Sequence, residues 1–164
     1  MVPSIGAKCK PYYLAKSIGP LWLNRRSVNT YPVVLTSEPL IEPASWIRDN
    51  LPKDCIIATR RIGALSYYSQ KNVFDYKFGL TNKEVAKLVN EHKRHFNDLF
   101  DPALKHIWKK VSPDYILEDL VIVDAAIRAS KGKRERFEIH GIAYRLIKSF
   151  PISKTNEWIL CEKI

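Results

Sequence analysis

With 164 residues, 46% of them hydrophobic, and a mean hydropathy of −0.23, the chain is long and apolar enough to enclose one core, which excludes an extended disordered protein. Its longest charge-free stretch, 27–37, contains Pro32 and falls short of the ~20 apolar residues of a membrane span. Three scattered cysteines, Cys9, Cys55 and Cys161, exclude a disulfide scaffold or a zinc knuckle, and the net charge of +10 favours anionic partners.

Residues 1–42 carry five of the ten prolines and no sustained period. They read as an arm or linker, with one extended piece at YPVVLT and apolar side chains such as Tyr12, Leu21 and Trp22 that dock on something. The opening MVPSIGAKCKPYY places Pro3, Lys8 and Lys10 where a signal peptide needs roughly 7–15 apolar residues. If Met1 is the true start, the expected location is cytoplasmic.

The compact domain is expected over 43–164. PASWIRDN puts Pro43 at a helix start, where its missing N–H costs nothing, and LPKD breaks that helix. CIIAT reads as a buried strand, IGALSYYS as a short helix and NVFDY as a second strand, together a parallel βαβ-like unit. Gly79 then interrupts the chain, and Thr81 with Glu84 has the spacing of a capping box for a helix carrying Val85, Leu88, Val89, His92 and Phe96. DPALKHIWKKV predicts another helix, with Asp101 as N-cap and Pro102 in its first position. PDYILE predicts a third strand and DLVIVDAAIRAS a helix. GIAYRLIKSF and EWILCEKI form an antiparallel pair across the polar PISKTN. The fold class is therefore α/β: one two- or three-layer domain on a mixed sheet, with parallel strands early and an antiparallel C-terminal pair. Cys55 and Cys161 fall in apolar runs and are expected to be buried as small hydrophobes.

No dinucleotide, P-loop or nucleophile-elbow spacing occurs among the six glycines, and no cofactor is expected. His92, His95 and Asp98 lie at i, i+3 and i+6, so the third drifts about 120° round the helix from the first. With Lys93 and Arg94 between them, a polar helix face is expected rather than a metal site. The basic run KGKRER (131–136) reads as a solvated loop in preference to a nucleic-acid contact.

Arg60 and Arg61 follow the first strand and precede Gly63 at a helix start, where α/β folds gather anions. A phosphate or carboxylate site at Arg60, Arg61 and Gly63 is one reading; arginines that are solvated, or paired with Asp54 or Asp75, are the other. Asp75, at the end of the second strand, is either a general base or the carboxylate that fixes its own loop, with no second carboxylate at a matching spacing.

Trp46, Ile47, Asn50 and Pro52, then Gly63, Tyr67, Tyr68 and Ser69, then Val73, Asp75, Gly79 and Leu80, follow a pattern of W-I-x-x-N-x-P, G-x-x-x-Y-Y/F-S and I/V-x-D-x-x-G-L type, with one residue more here between Asp75 and Gly79. Over about 43–164 the chain thereby resembles the soluble C-terminal domain of multi-spanning bacterial glycosyltransferases, the protein mannosyltransferase-like and aminoarabinose-transferase-like members of the glycosyltransferase C superfamily. Arg60 and Arg61 stand where that pattern has small or acidic residues. The resemblance implies a non-catalytic domain on the extracytoplasmic face of a membrane, belonging to a larger enzyme that takes its sugar from a polyprenyl-phosphate carrier. The partners it implies are the membrane domain of the same polypeptide or an anionic lipid surface, with a lipid-phosphate or acceptor contact. The alternative is a free-standing basic cytoplasmic protein that binds nucleic acid or a phosphorylated ligand.

Overall fold

The computed structural model describes residues 38–91 and 99–164. YPVVLT and the rest of the segment 1–37, and the helical positions of His92, His95 and Asp98, lie outside the described residues. Among the described residues five helices and six strands follow in the order α1 (Glu38–Asn50), β1 (Ile56–Thr59), α2 (Ile62–Ser69), β2 (Asn72–Asp75), α3 (Lys83–Glu91), α4 (Leu104–Val111), β3 (Tyr115–Asp119), α5 (Leu120–Ala129), β4 (Phe137–Ile139), β5 (Ile142–Pro151) and β6 (Glu157–Lys163). The strands make one sheet in the order β2-β1-β3-β6-β5-β4. β1 pairs in parallel with β2 and β3, whereas β3–β6, β6–β5 and β5–β4 are antiparallel.

Alternation along the strands divides the core into two layers. Ile57, Tyr115, Leu117 and Leu160 face α1 and α2, packing with Ala44, Ile47 and Leu65. Their neighbours Ala58, Ile116, Ile159 and Cys161 face the opposite way, towards α3, α4 and α5, where Trp108 is fully buried. The sheet is covered by helices on both sides, so the domain has three layers. Trp108 anchors the second layer: Phe74 and Tyr76 meet its ring edge-on at 5.8 and 5.7 Å, and its Nε1–H donates to the Tyr144 hydroxyl at 3.1 Å. A bulge in β5 between Leu146 and Lys148 swaps the face that β5 presents, so Leu146 packs in one layer and Phe150 in the other.

Three local expectations are corrected. α1 starts at Glu38 rather than Pro43, because the buried stripe Leu40, Ala44, Ile47 extends upstream of the proline. A proline this near a helix start forfeits one backbone bond, and the helix continues through it. Leu40, placed by sequence in the arm, is thus a core residue. Secondly, the cap of α3 is Asn82, whose Oδ1 accepts from the N–H groups of Glu84 (2.9 Å) and Val85 (3.2 Å). Thr81 instead accepts from the Asp75 N–H at 2.8 Å, and the Glu84 carboxylate pairs with Lys110. Thirdly, Asp101 does cap the DPAL turn, accepting from the Ala103 N–H at 2.9 Å, but the helix begins only at Leu104, leaving Pro102 outside it. The antiparallel C-terminal pair forms as expected from β5 and β6, and a further strand joins it: β4, only three residues long, lies between a basic turn and a glycine turn and has too few positions to show a period.

Cys55 and Cys161 are buried free thiols, and burial pushes both pKa values up, that of Cys161 to about 12. Since the thiolate is the reactive form, a Cys9→Ser variant should react negligibly with Ellman's reagent when native and titrate two thiols in denaturant. Rapid labelling of the native variant would show that the sheet opens around β1 or β6.

Candidate functional site

β1 leads through α2 to β2 on one side, and the chain then returns through α3 and α4, on the other side of the sheet, to β3 on β1's far edge. The strand order therefore reverses between β1 and β3. At such a switch point, outside the carboxyl ends of the strands, helices diverge and open α/β sheets hold their ligands. Arg60 and Arg61 emerge from β1 at this place, Asp75 ends β2, and Glu118 with Asp119 ends β3.

Arg60 fills the crevice itself. Its backbone N–H donates to Glu118 Oε1 at 2.8 Å, its Nε to Oε2 at 2.9 Å, and its Nη2 to Asp119 Oδ2 at 2.8 Å. The Tyr76 hydroxyl completes the set, donating to Oε1 at 2.7 Å. Glu118 is wholly buried and the Arg60 side chain retains 18% of its exposure. Burial pushes the Glu118 carboxyl above its ordinary range against the pull of Arg60 and the Tyr76 hydroxyl. Burial is the largest single influence on Arg60 and disfavours its cation, but Glu118, Tyr76 and Asp119 together outweigh it and the guanidinium stays charged. The arginine that sequence spacing offered to a phosphate is thus bonded to two carboxylates of its own chain, neither of them Asp54 or Asp75.

Arg61 is not held in this way. Its side chain is exposed, with the guanidinium 5.9 Å from the centre of the Trp158 ring, and its N–H donates to Thr59 Oγ1. Gly63 is exposed beside it, with open space where a Cβ would stand, and no side chain caps α2. These two elements of the predicted anion site face solvent, apart from the filled crevice.

Asp75 is buried and fully engaged. Oδ1 accepts from the N–H groups of Lys77 (3.0 Å) and Phe78 (2.9 Å), and Oδ2 from Leu80 (3.0 Å). Of the two readings of this residue, its geometry is that of the loop-fixing carboxylate: the carboxylate accepts from three backbone N–H groups and is shut off from solvent. The other motif residues divide between packing and display. Trp46 packs edge-on against Phe150 at 5.9 Å beneath the Lys148 ammonium, and Asn50 donates to the Trp46 carbonyl at the end of α1. Tyr68 packs in the α1–α2 layer, while Tyr67 and Leu80 are 77% and 74% exposed.

At the opposite end of the strands a depression of about 400 Å³ is lined by Asp54, Cys55, Asp114, Tyr115, Glu162 and Lys163. Asp114 there accepts from the Ile56 N–H at 3.0 Å and pairs with Lys163 at 2.9 Å, tying the start of β1 to the end of β6. Burial works against this charge, yet those two partners hold its pKa below the usual carboxylate range.

Sequence reasoning missed Glu118, Asp119 and Tyr76. The available signal was a glutamate closing the apolar run YIL, since a charged side chain in a buried strand requires a partner. No group of three or more metal-ligating side chains occurs among the described residues, and no helix there is long and apolar enough to cross a membrane.

The architecture is thus that of a three-layer α/β domain whose switch point is closed by its own ion pair. A family model described as a domain of unknown function, DUF8728, matches residues 30–161, and the chain belongs to that family. No curated protein and no solved structure matches it.

Proposed function

We propose that this chain is a non-catalytic α/β module of a membrane glycosyltransferase-like protein that uses a polyprenyl-phosphate sugar donor, placed at the extracytoplasmic face and helping acceptor or donor reach the membrane-embedded site. The observation that carries the non-catalytic part is the bonding of Arg60 to Glu118 and Asp119 at the switch point, which engages these charged side chains with one another. The membrane part is supported by the motif residues from Trp46 to Leu80 and by the basic surface, which suits anionic lipid. Fractionation of source cells, with an antibody against this domain, tests it. A band much heavier than 19.0 kDa in the membrane fraction is the expected result, and a soluble band at 19.0 kDa overturns the reading.

The second reading, a cytoplasmic binder of nucleic acid, draws on one observation: Lys131, Lys133, Arg134 and Arg136 are all exposed on the turn before β4. It requires binding to duplex DNA that weakens steeply with salt, and salt-independent or absent binding removes it.

A further inference from the structure

Loops that follow parallel strands project from the same end of a sheet, and with strands ~4.8 Å apart those after β2 and β3 lie within about 10 Å of each other across β1. Three large apolar side chains at this end are exposed: Phe78 at 53%, Leu80 at 74%, and Val121, in the first turn of α5, at 62%. The β2 loop is also held rigid. Asp75 binds three of its N–H groups, Thr81 fixes Asp75 in turn, and Gly79 turns at φ +71° with its α-carbon packed on the backbone of Ala86. A loop so constrained cannot fold Phe78 and Leu80 back onto the core.

The charge around them is mainly positive: Glu84 is paired with Lys110 and Asp124 with Arg134, which leaves the half-buried Glu157 as the carboxylate beside Lys154. Arg61 and Lys83 are exposed, the Lys77 ammonium lies 5.4 Å from the centre of the Phe78 ring, and Lys154 is exposed on the β5–β6 turn at the same end. The carboxylates that end β2 and β3 do not offset this, because Asp75 and Glu118 are buried and Asp119 is bonded to Arg60. Three apolar side chains are too small a patch for a stable protein interface, which needs about 800 Å² per partner. They suffice for shallow insertion below a layer of anionic headgroups, where apolar burial and attraction to cations act together.

We propose that the Lys77–Leu80 loop is a lipid anchor: Phe78 and Leu80 enter the interface of an anionic bilayer while Arg61, Lys77 and Lys83 meet its headgroups. This deepens the membrane reading above, and rests on it for the choice of a bilayer as occupant. The test uses the full chain with Cys9→Ser, an environment-sensitive fluorophore on Leu80→Cys, and a control label on Lys53→Cys at the other end of the strands. Phosphatidylcholine vesicles with phosphatidylglycerol should shift the emission at position 80 to the blue and leave position 53 unchanged. The unlabelled double variant Phe78→Ser, Leu80→Ser should keep its melting temperature and lose roughly tenfold or more in vesicle partitioning. A water-like label at position 80, or undiminished binding by the double variant, overturns the anchor. So does a change in oligomeric state that accounts for the binding loss, which would assign the patch to a second copy. A membrane-bound native polypeptide whose loop fails these tests leaves the membrane reading standing without the anchor.

Discussion

Replacing Arg60 by methionine should destabilise the domain by about 3–5 kcal/mol, the usual cost of leaving a buried charge without its partner. Methionine restores much of the apolar volume but none of the hydrogen bonds. Glu118, wholly buried, then keeps only the Tyr76 hydroxyl and the backbone N–H of position 60, both on Oε1, while Oε2 loses its donor. The variant's Glu118 should take up a proton, which gives the defect a pH signature. A carboxyl whose native pKa lies above its unfolded value stabilises fully below the unfolded value, near pH 4, and that contribution is lost as pH rises through the native pKa. The stability gap between variant and wild type should therefore widen from about pH 5 towards neutrality. Adding Glu118→Gln should recover much of the loss: an amide oxygen can take the Oε1 bonds, and no charge remains to be paired. Urea unfolding of the four members of this cycle at two pH values measures the coupling. If Arg60→Met proves as stable as wild type at neutral pH, the ion pair does not close the switch point, and the crevice returns as a ligand site.

Gly79→Ala should cost about 3 kcal/mol, whereas Gly63→Ala should stabilise slightly, by up to about 1 kcal/mol. Two terms add at Gly79. An L-residue at φ +71° costs roughly 1–2 kcal/mol, and a Cβ there would stand 2.3 Å from the Ala86 nitrogen and 2.5 Å from its Cα. Those are backbone atoms of α3 that cannot rotate aside, so the overlap adds about 1–3 kcal/mol. Gly63 has neither constraint, since its Cβ would meet open space inside a helix where alanine is favoured by roughly 0.5–1 kcal/mol. Urea midpoints of the two variants make the comparison. Equal midpoints would mean that the loop after β2 relaxes freely, removing the rigidity on which the presentation of Phe78 and Leu80 depends.

The parts of the fold written in local chemistry were legible. β1, α2 and β2 came from a βαβ pattern with sharp boundaries, and α5 from its alanines and length, because period and turn residues act over a few positions. The capping of α3 was misassigned because Thr81 and Asn82 are both good caps, and the choice depended on Asp75 using Thr81. The start of α1 was misplaced because a proline signal outweighed an apolar stripe that continued past it. β4 was invisible because pairing with β5, and not its own three residues, makes it a strand.

The site divides in the same way. Sequence by itself determined that two arginines and a glycine follow the first strand, that an aspartate closes the second, and that the chain carries an excess of positive charge, for all of these are properties of neighbours along the backbone. Which of the arginines stays available was decided 58 residues away, where the Glu118 and Asp119 carboxylates arrive beside β1 only once β3 has paired with it. Tertiary structure alone made that choice, because a carboxylate buried at the switch point must be paired, and Arg60 is the cation that the sheet brings within reach.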